Sequence, residues 1–386
     1  MAKNDKGGEG RADAAQRRKV THGYDRGPKQ KSQKRPRRTL EEKLRRYESH
    51  AEGYEFIPAL MHSLQRVVEG PPKGTETAED RRLAQALKEA GATELIARAV
   101  RAHNQIPMEL KRQAFSPRLL TRPLDEPVGA EETAAIVQRA ATMVNVSVAA
   151  ITPSRLAPAA ADPKHRGMCC CPDTTTPPRD PEPPKPPPNQ YELTFQKLYC
   201  VDESDPEWWG SDEPYVVFGI ITEEMAESGT AAQAVATPVY EDVDDGDTRP
   251  SSGDQALRLF GFTGPRAIAS SVLISATCFE HDLGDVSATT DAVRAALTAV
   301  ATKAAAAGGY VGWIVAGVAV VGIGVSYLVD LIGADDKIDG SQVMSLTQAD
   351  ADARTASVNP SVFPPLHFDG GDGDGIYDVY LKLRRV

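Results

Sequence analysis

Residues 191–221 read YELTFQKLYCVDESDPEWWGSDEPYVVFGII, and this stretch decides the fold of the larger part of the chain. Its first eleven residues alternate apolar and polar side chains, the period of two of a strand with one buried face. An acidic loop follows, with Asp202, Glu203, Asp205, Asp212 and Glu213. The run PYVVFGII, 214–221, then reads as a second strand rich in β-branched and aromatic residues. The same texture continues at PVYEDV (238–243), SVLISATCFE (271–280) and the closing IYDVYLKLRRV (376–386). Short strands joined by polar turns predict an antiparallel β-sandwich over 191–386, in a chain of the α+β class.

Upstream the pattern differs. Twelve prolines fall between Pro153 and Pro188. Proline fixes φ and lacks a donor N–H, so 151–190 is expected to be a semi-rigid linker. Residues 39–150 carry the 3.6-residue period instead. Thr39 and Glu42 have capping-box spacing, an apolar run covers 56–68, and further helices are expected at 78–90, 93–103 and 130–144. Residues 1–38 hold almost no bulky apolar side chain and are expected to be a disordered basic arm. From Met1 to Arg46 there are 16 Lys and Arg against 6 Asp and Glu, although the whole chain has a net charge of −10. A basic arm on an acidic body can meet nucleic-acid phosphates, anionic lipid, or a docking or export partner.

One segment departs from the β pattern. Residues 287–333 are helical and apolar in character, and 310–329 (YVGWIVAGVAVVGIGVSYLV) contain no charged residue. Twenty helical residues span about 30 Å, the hydrocarbon thickness of a bilayer. Tyr310, Trp313, Val320 and Tyr327 are the expected membrane-contact residues. A helix enclosed in protein would be equally apolar on every side, so a buried core helix is the competing assignment.

Carboxylates cluster where strands end: after 201, in FEHDLGD (Glu280, Asp282, Asp285) and in ADDKIDG (Asp335, Asp336, Asp339). Calcium takes six to eight oxygens from a loop that folds around it. If the insert's two ends meet, the second and third clusters form one split loop. The strand–Asp–GSDEPYVVF sequence and the later FEHD…DDKIDG resemble the two calcium loops of the C2 domain, a calcium- and phospholipid-binding module. That resemblance implies metal ligands at Asp202, Asp212, Glu213, Glu280, Asp282 and Asp336, with Ca2+ as cofactor and an anionic membrane as partner. Glutamate stands at 213 and 280 where the family has aspartate, the turn DKIDG has one residue more than the family's, and the insert interrupts the second loop.

Enzyme chemistry has little to rest on. There is no glycine-rich phosphate loop, nucleophile elbow or HExxH. Cys169, Cys170 and Cys171 are adjacent, which is not the spacing that wraps a zinc ion. The charged N-terminus lacks an apolar signal core. The expected location is therefore cytoplasmic or peripheral to a membrane, with non-classical export open. The function expected is calcium-responsive membrane binding, extending to a membrane-inserting or permeabilising effector. The alternative is a soluble interaction protein with a β-sandwich binding module and the insert as core. The N-terminal helical region is the expected site for a protein partner.

Overall fold

The computed structural model describes residues 39, 44, 53–143, 187–203, 212–251, 257–269, 271–281, 285–305, 320–333, 335, 337–371 and 375–386. The expected basic arm, 1–38, and most of the expected linker lie outside these.

The described N-terminal part is helical: α1 (Gly53–Glu69), α2 (Ala78–Glu89), α3 (Thr93–Gln105), α4 (Met108–Ala114), α5 (Pro117–Leu120) and α6 (Ala130–Met143). Local chemistry sets several of these boundaries. Thr77 accepts the Asp80 N–H while the Asp80 carboxylate accepts from Thr77, a reciprocal cap that starts α2. Pro58 lies inside α1, one turn beyond its start, and removes one intrahelical N–H donor there. Asp80 also holds the buried Arg66 of α1, at 2.7 Å, and Arg66 donates to the carbonyls of Thr75 and Leu124.

The C-terminal half is built on two antiparallel sheets. In the first, β4 (Thr248–Arg249), β1 (Tyr191–Asp202), β10 (Ile376–Arg385) and β8 (Ser361–Val362) lie in that order. There β5 (Leu257–Phe260) also pairs with β1, and β9 (Leu366–Asp369) with β10. The second has the order β3 (Gln233–Ala236), β2 (Pro214–Thr222), β6 (Ser271–Glu280) and β7 (Gln342–Thr347). Short helices α7 (Glu223–Ser228) and α10 (Gln348–Thr355) follow β2 and β7. Residues 238–243 are not the expected strand. The chain there follows β2 as irregular backbone, and pairing is made earlier, by Gln233–Ala236.

Burial separates the strands into two kinds. Along β10 only alternate residues are buried, Tyr377, Val379, Leu381 and Leu383. In β2 and β6 nearly every residue is buried. The even residues Val216, Phe218, Ile220, Val272, Ile274 and Ala276 join a core shared with β1 and β10. The odd residues Tyr215, Val217, Ile221, Leu273 and Phe279 join a second core, shared with helices.

Those helices include the described insert, α8 (Val286–Ala305) and α9 (Gly322–Ile332), which lies between β6 and β7 in the chain. Val320 and Tyr327, expected at a membrane, are 0% and 1% exposed and sit in this second core with Phe56, Leu60, Ile96 and Val100 of α1 and α3. Tyr310 and Trp313 lie outside the described residues. Two glycines set the approach distances. A Cβ on Gly219 of β2 would come within 2.7 Å of Leu297 of α8. One on Gly324 of α9 would come within 2.8 Å of Val300 and 3.3 Å of Phe56. Among the described residues no helix is long and apolar enough to cross a membrane.

Candidate functional site

Strand pairing carries the acidic segments to one end of each sheet. Pro214 at the start of β2 faces Glu280 at the end of β6. Asp202 at the end of β1 faces Ile376 of β10, which faces Asp369 of β9. The insert leaves after Glu280 and rejoins beside it: Phe279 bridges Lys337, and Ile338 N–H donates to Cys278 O at 3.0 Å. The described residues on either side of the insert, Phe279 and Lys337, therefore lie side by side at one strand end.

The predicted ligands are placed as follows. Asp202 is exposed. Asp212 is 3% exposed, and its carboxylate accepts the Tyr377 hydroxyl proton. The Glu213 N–H donates to Glu280 Oε1 at 3.0 Å, and Glu213 Oε2 lies 3.2 Å from His281 Nδ1. Asp282 and Asp336 lie outside the described residues. Nearby, Asp335 accepts from the Tyr215 hydroxyl at 2.7 Å, and Asp339 accepts the Asp369 N–H at 3.2 Å. Asp245 accepts the Glu203 N–H at 2.6 Å.

Electrostatics at this end are one-sided. Burial, then the charges of Asp212, Asp245 and Glu203, push the Cys200 thiol up to about 12. Burial, then Glu280 and Asp212, raise the Cys278 thiol well above its ordinary value. Burial and the Asp212 carboxylate raise the Tyr377 hydroxyl far out of its usual range. Both thiols are therefore inert packing groups rather than nucleophiles.

Among the described residues no group of three or more His, Cys, Asp or Glu is placed to hold a metal ion. Tyr377 and His281 are the participants that sequence reasoning missed. For Tyr377 the signal was present, since it occupies an inward position of the alternating β10 pattern. His281 stands directly after the acidic strand end and was passed over for the carboxylates around it.

Comparison with family models, with curated proteins and with solved structures finds no match to this chain.

Proposed function

We propose that the protein is an interaction module: a C2-like β-sandwich whose acidic end is its binding surface and whose inserted helical hairpin is structural core. One observation carries most of this. The outer faces of β2 and β6 are apolar and buried, and what buries them includes α8, through contacts such as Leu297 on Gly219. An insert with that job is part of the fold. The convergence of three acidic segments at one end supports a surface for cationic ligands, whether a metal ion or a basic chain segment. Calcium enters only with loop residues such as Asp205, Asp282 and Asp336, beside Asp202.

The test is Val320→Arg, read by circular dichroism and by co-sedimentation with liposomes. Val320 is fully buried, so an unpaired guanidinium there is expected to unfold or strongly destabilise the protein, by several kcal/mol. A folded variant that has merely lost lipid binding would overturn the proposal in favour of a membrane-inserting element.

A further inference from the structure

The chain that returns from the insert to the second sheet is pinned at two points. The Ile338 N–H donates to Cys278 O of β6 at 3.0 Å, and the Ser341 N–H donates to Ser326 Oγ of α9 at 2.7 Å. Ser326 and Ser341 are buried, and the Ser341 hydroxyl also lies 2.7 Å from that of Thr277 in β6. Between the pins stand Asp339 and Gly340, both half-buried. The Gly340 N–H donates to Oδ1 of Asp339, the residue before it, at 2.5 Å, while Oδ2 accepts the Asp369 N–H of β9 at 3.2 Å. A C–O bond is about 1.2 Å long, so the Asp339 carboxyl carbon is no more than about 3.7 Å from the Gly340 nitrogen. That approaches the separation of about 3–3.5 Å at which atoms are poised to react. The sequence has five Asp-Gly pairs, beginning at Asp245, Asp339, Asp369, Asp372 and Asp374. Asp372 and Asp374 lie outside the described residues. In two others the glycine amide is engaged by backbone instead: Gly246 N–H donates to Cys200 O and Gly370 N–H to Gly375 O, each at 3.0 Å. Their carboxylates are held elsewhere, Asp245 by the Glu203 N–H at 2.6 Å and Asp369 by the Gly371 N–H at 2.9 Å.

We propose that Asp339–Gly340 is a self-modification site, at which the folded protein converts aspartate to isoaspartate through a succinimide ring. The Gly340 nitrogen bonds to the carbon of the protonated Asp339 carboxyl group. The carboxyl hydroxyl leaves, and with the amide proton it forms water. A water molecule then adds to the main-chain carbonyl carbon of Asp339, and the bond from that carbon to the Gly340 nitrogen breaks. The main chain now runs through the side-chain methylene, and the former carbonyl carbon ends as a free carboxylate. One water is released and one is taken up, and nothing is oxidised or reduced. The fold favours ring closure because the pins at Ile338 and Ser341 already hold the reacting atoms together, so little further ordering is needed. Glycine leaves the nitrogen uncrowded: even a Cβ at 340 would meet nothing closer than Ser326 Oγ at 3.9 Å. The product carries an extra methylene between two fixed points and displaces the oxygen that accepts the Asp369 N–H, loosening the tie between the returning chain and β9. The inference goes beyond the interaction-module proposal and is independent of it, since it is read in a covalent bond and not in binding.

The experiment incubates the full chain at neutral pH and physiological temperature, folded and in urea, and measures isoaspartate at 245, 339 and 369. Peptide mapping with electron-transfer fragmentation distinguishes the two isomers at each residue. In urea the three positions present the same reacting dipeptide and should convert at similar rates. In the folded chain Asp339 is expected to lead Asp245 and Asp369 by about tenfold or more, and the isomerised fraction should exchange the Asp369 amide faster. Ser326→Ala removes the pin on the Ser341 N–H and should slow conversion at 339 in the folded chain but not in urea. Gly340→Ala has room for its Cβ and a backbone that is not left-handed, so it should fold while crowding the nitrogen, and slow conversion by about tenfold. It keeps the test available if the serine variant does not fold. No isoaspartate at 339 in the folded chain, a folded rate there no greater than at 245 and 369, or a lead that persists unchanged in urea would each overturn the proposal.

Discussion

Glu79→Gln tests the joint between the N-terminal helices and the insert. The Lys303 side chain is 0% exposed and that of Glu79 is 15% exposed. The ammonium also donates to the Val128 carbonyl at 3.1 Å. Burial lowers the Lys303 pKa, and Glu79 is the first group to oppose that shift, followed by Asp80 and Glu132. Removing one partner of a buried pair typically costs about 3–5 kcal/mol, because the other charge stays buried. Two features reduce that here. A glutamine carbonyl still accepts a hydrogen bond, and Asp80 and Glu132 still act on Lys303. The expected loss is therefore about 2–3 kcal/mol. Lys303→Met removes the buried charge with little change of volume, and the double variant should return to within about 1 kcal/mol of wild type. Urea unfolding at neutral pH followed by circular dichroism measures all four corners of this cycle. A Glu79→Gln variant within about 0.5 kcal/mol of wild type would refute the buried joint, as would a double variant less stable than either single one.

Three further outcomes are expected. Lowering pH from about 6.5 to about 5 should cost about 1.5 kcal/mol through His103, since its folded value of about 3 lies below the ordinary one and stability is lost as pH falls; urea midpoints across that range should show a shallower slope in His103→Gln than in wild type, the remainder including His62, which burial also holds below its ordinary value. Gly324→Val puts a Cβ within 2.8 Å of Val300 on the neighbouring helix, and overpacking of that kind should destabilise by about 1–3 kcal/mol, visible as a lower Tm. Millimolar calcium should raise the Tm of wild type but not of Asp202→Asn with Asp282→Asn, because a ligand of the folded state stabilises by mass action; an unchanged wild-type Tm would remove calcium from the proposal.

Helices were legible where local chemistry and period agreed. The expected 78–90, 93–103 and 130–144 correspond to Ala78–Glu89, Thr93–Gln105 and Ala130–Met143. The Thr347 to Asp350 capping box of α10 was equally available in the sequence and was not used. Long strands were legible for the same reason, and short ones were not. QAVA, 233–236, has little β-propensity of its own and becomes a strand because β2 offers it a ladder. PVYEDV has better propensity, but it opens on a proline and makes only irregular contacts. At the acidic end the carboxylates could be read but their partners could not. Tyr377 reaches Asp212, and Tyr215 reaches Asp335, across sequence separations that no local pattern encodes.

The insert shows where hydropathy runs out and what replaces it. Apolarity on every side of a helix measures only that the helix leaves water, into lipid or into protein. The strands hold the missing information. β1 and β10 alternate because one of their faces is solvated, whereas PYVVFGII and SVLISATCFE are apolar at nearly every position and need a cover on both faces. The opposing sheet supplies one cover, and the insert contributes to the other. If the pair left the sheet, Tyr215, Val217, Ile221, Leu273 and Phe279 would lose much of their burial. At about 1.5–3 kcal/mol for each side chain, the cost is on the order of 10 kcal/mol, comparable with the entire stability of a typical domain. The N-terminal helices add Phe56, Leu60, Leu64, Ile96 and Val100 to the same core, so the insert is enclosed by protein on both sides and its apolarity is that of a helix inside a fold.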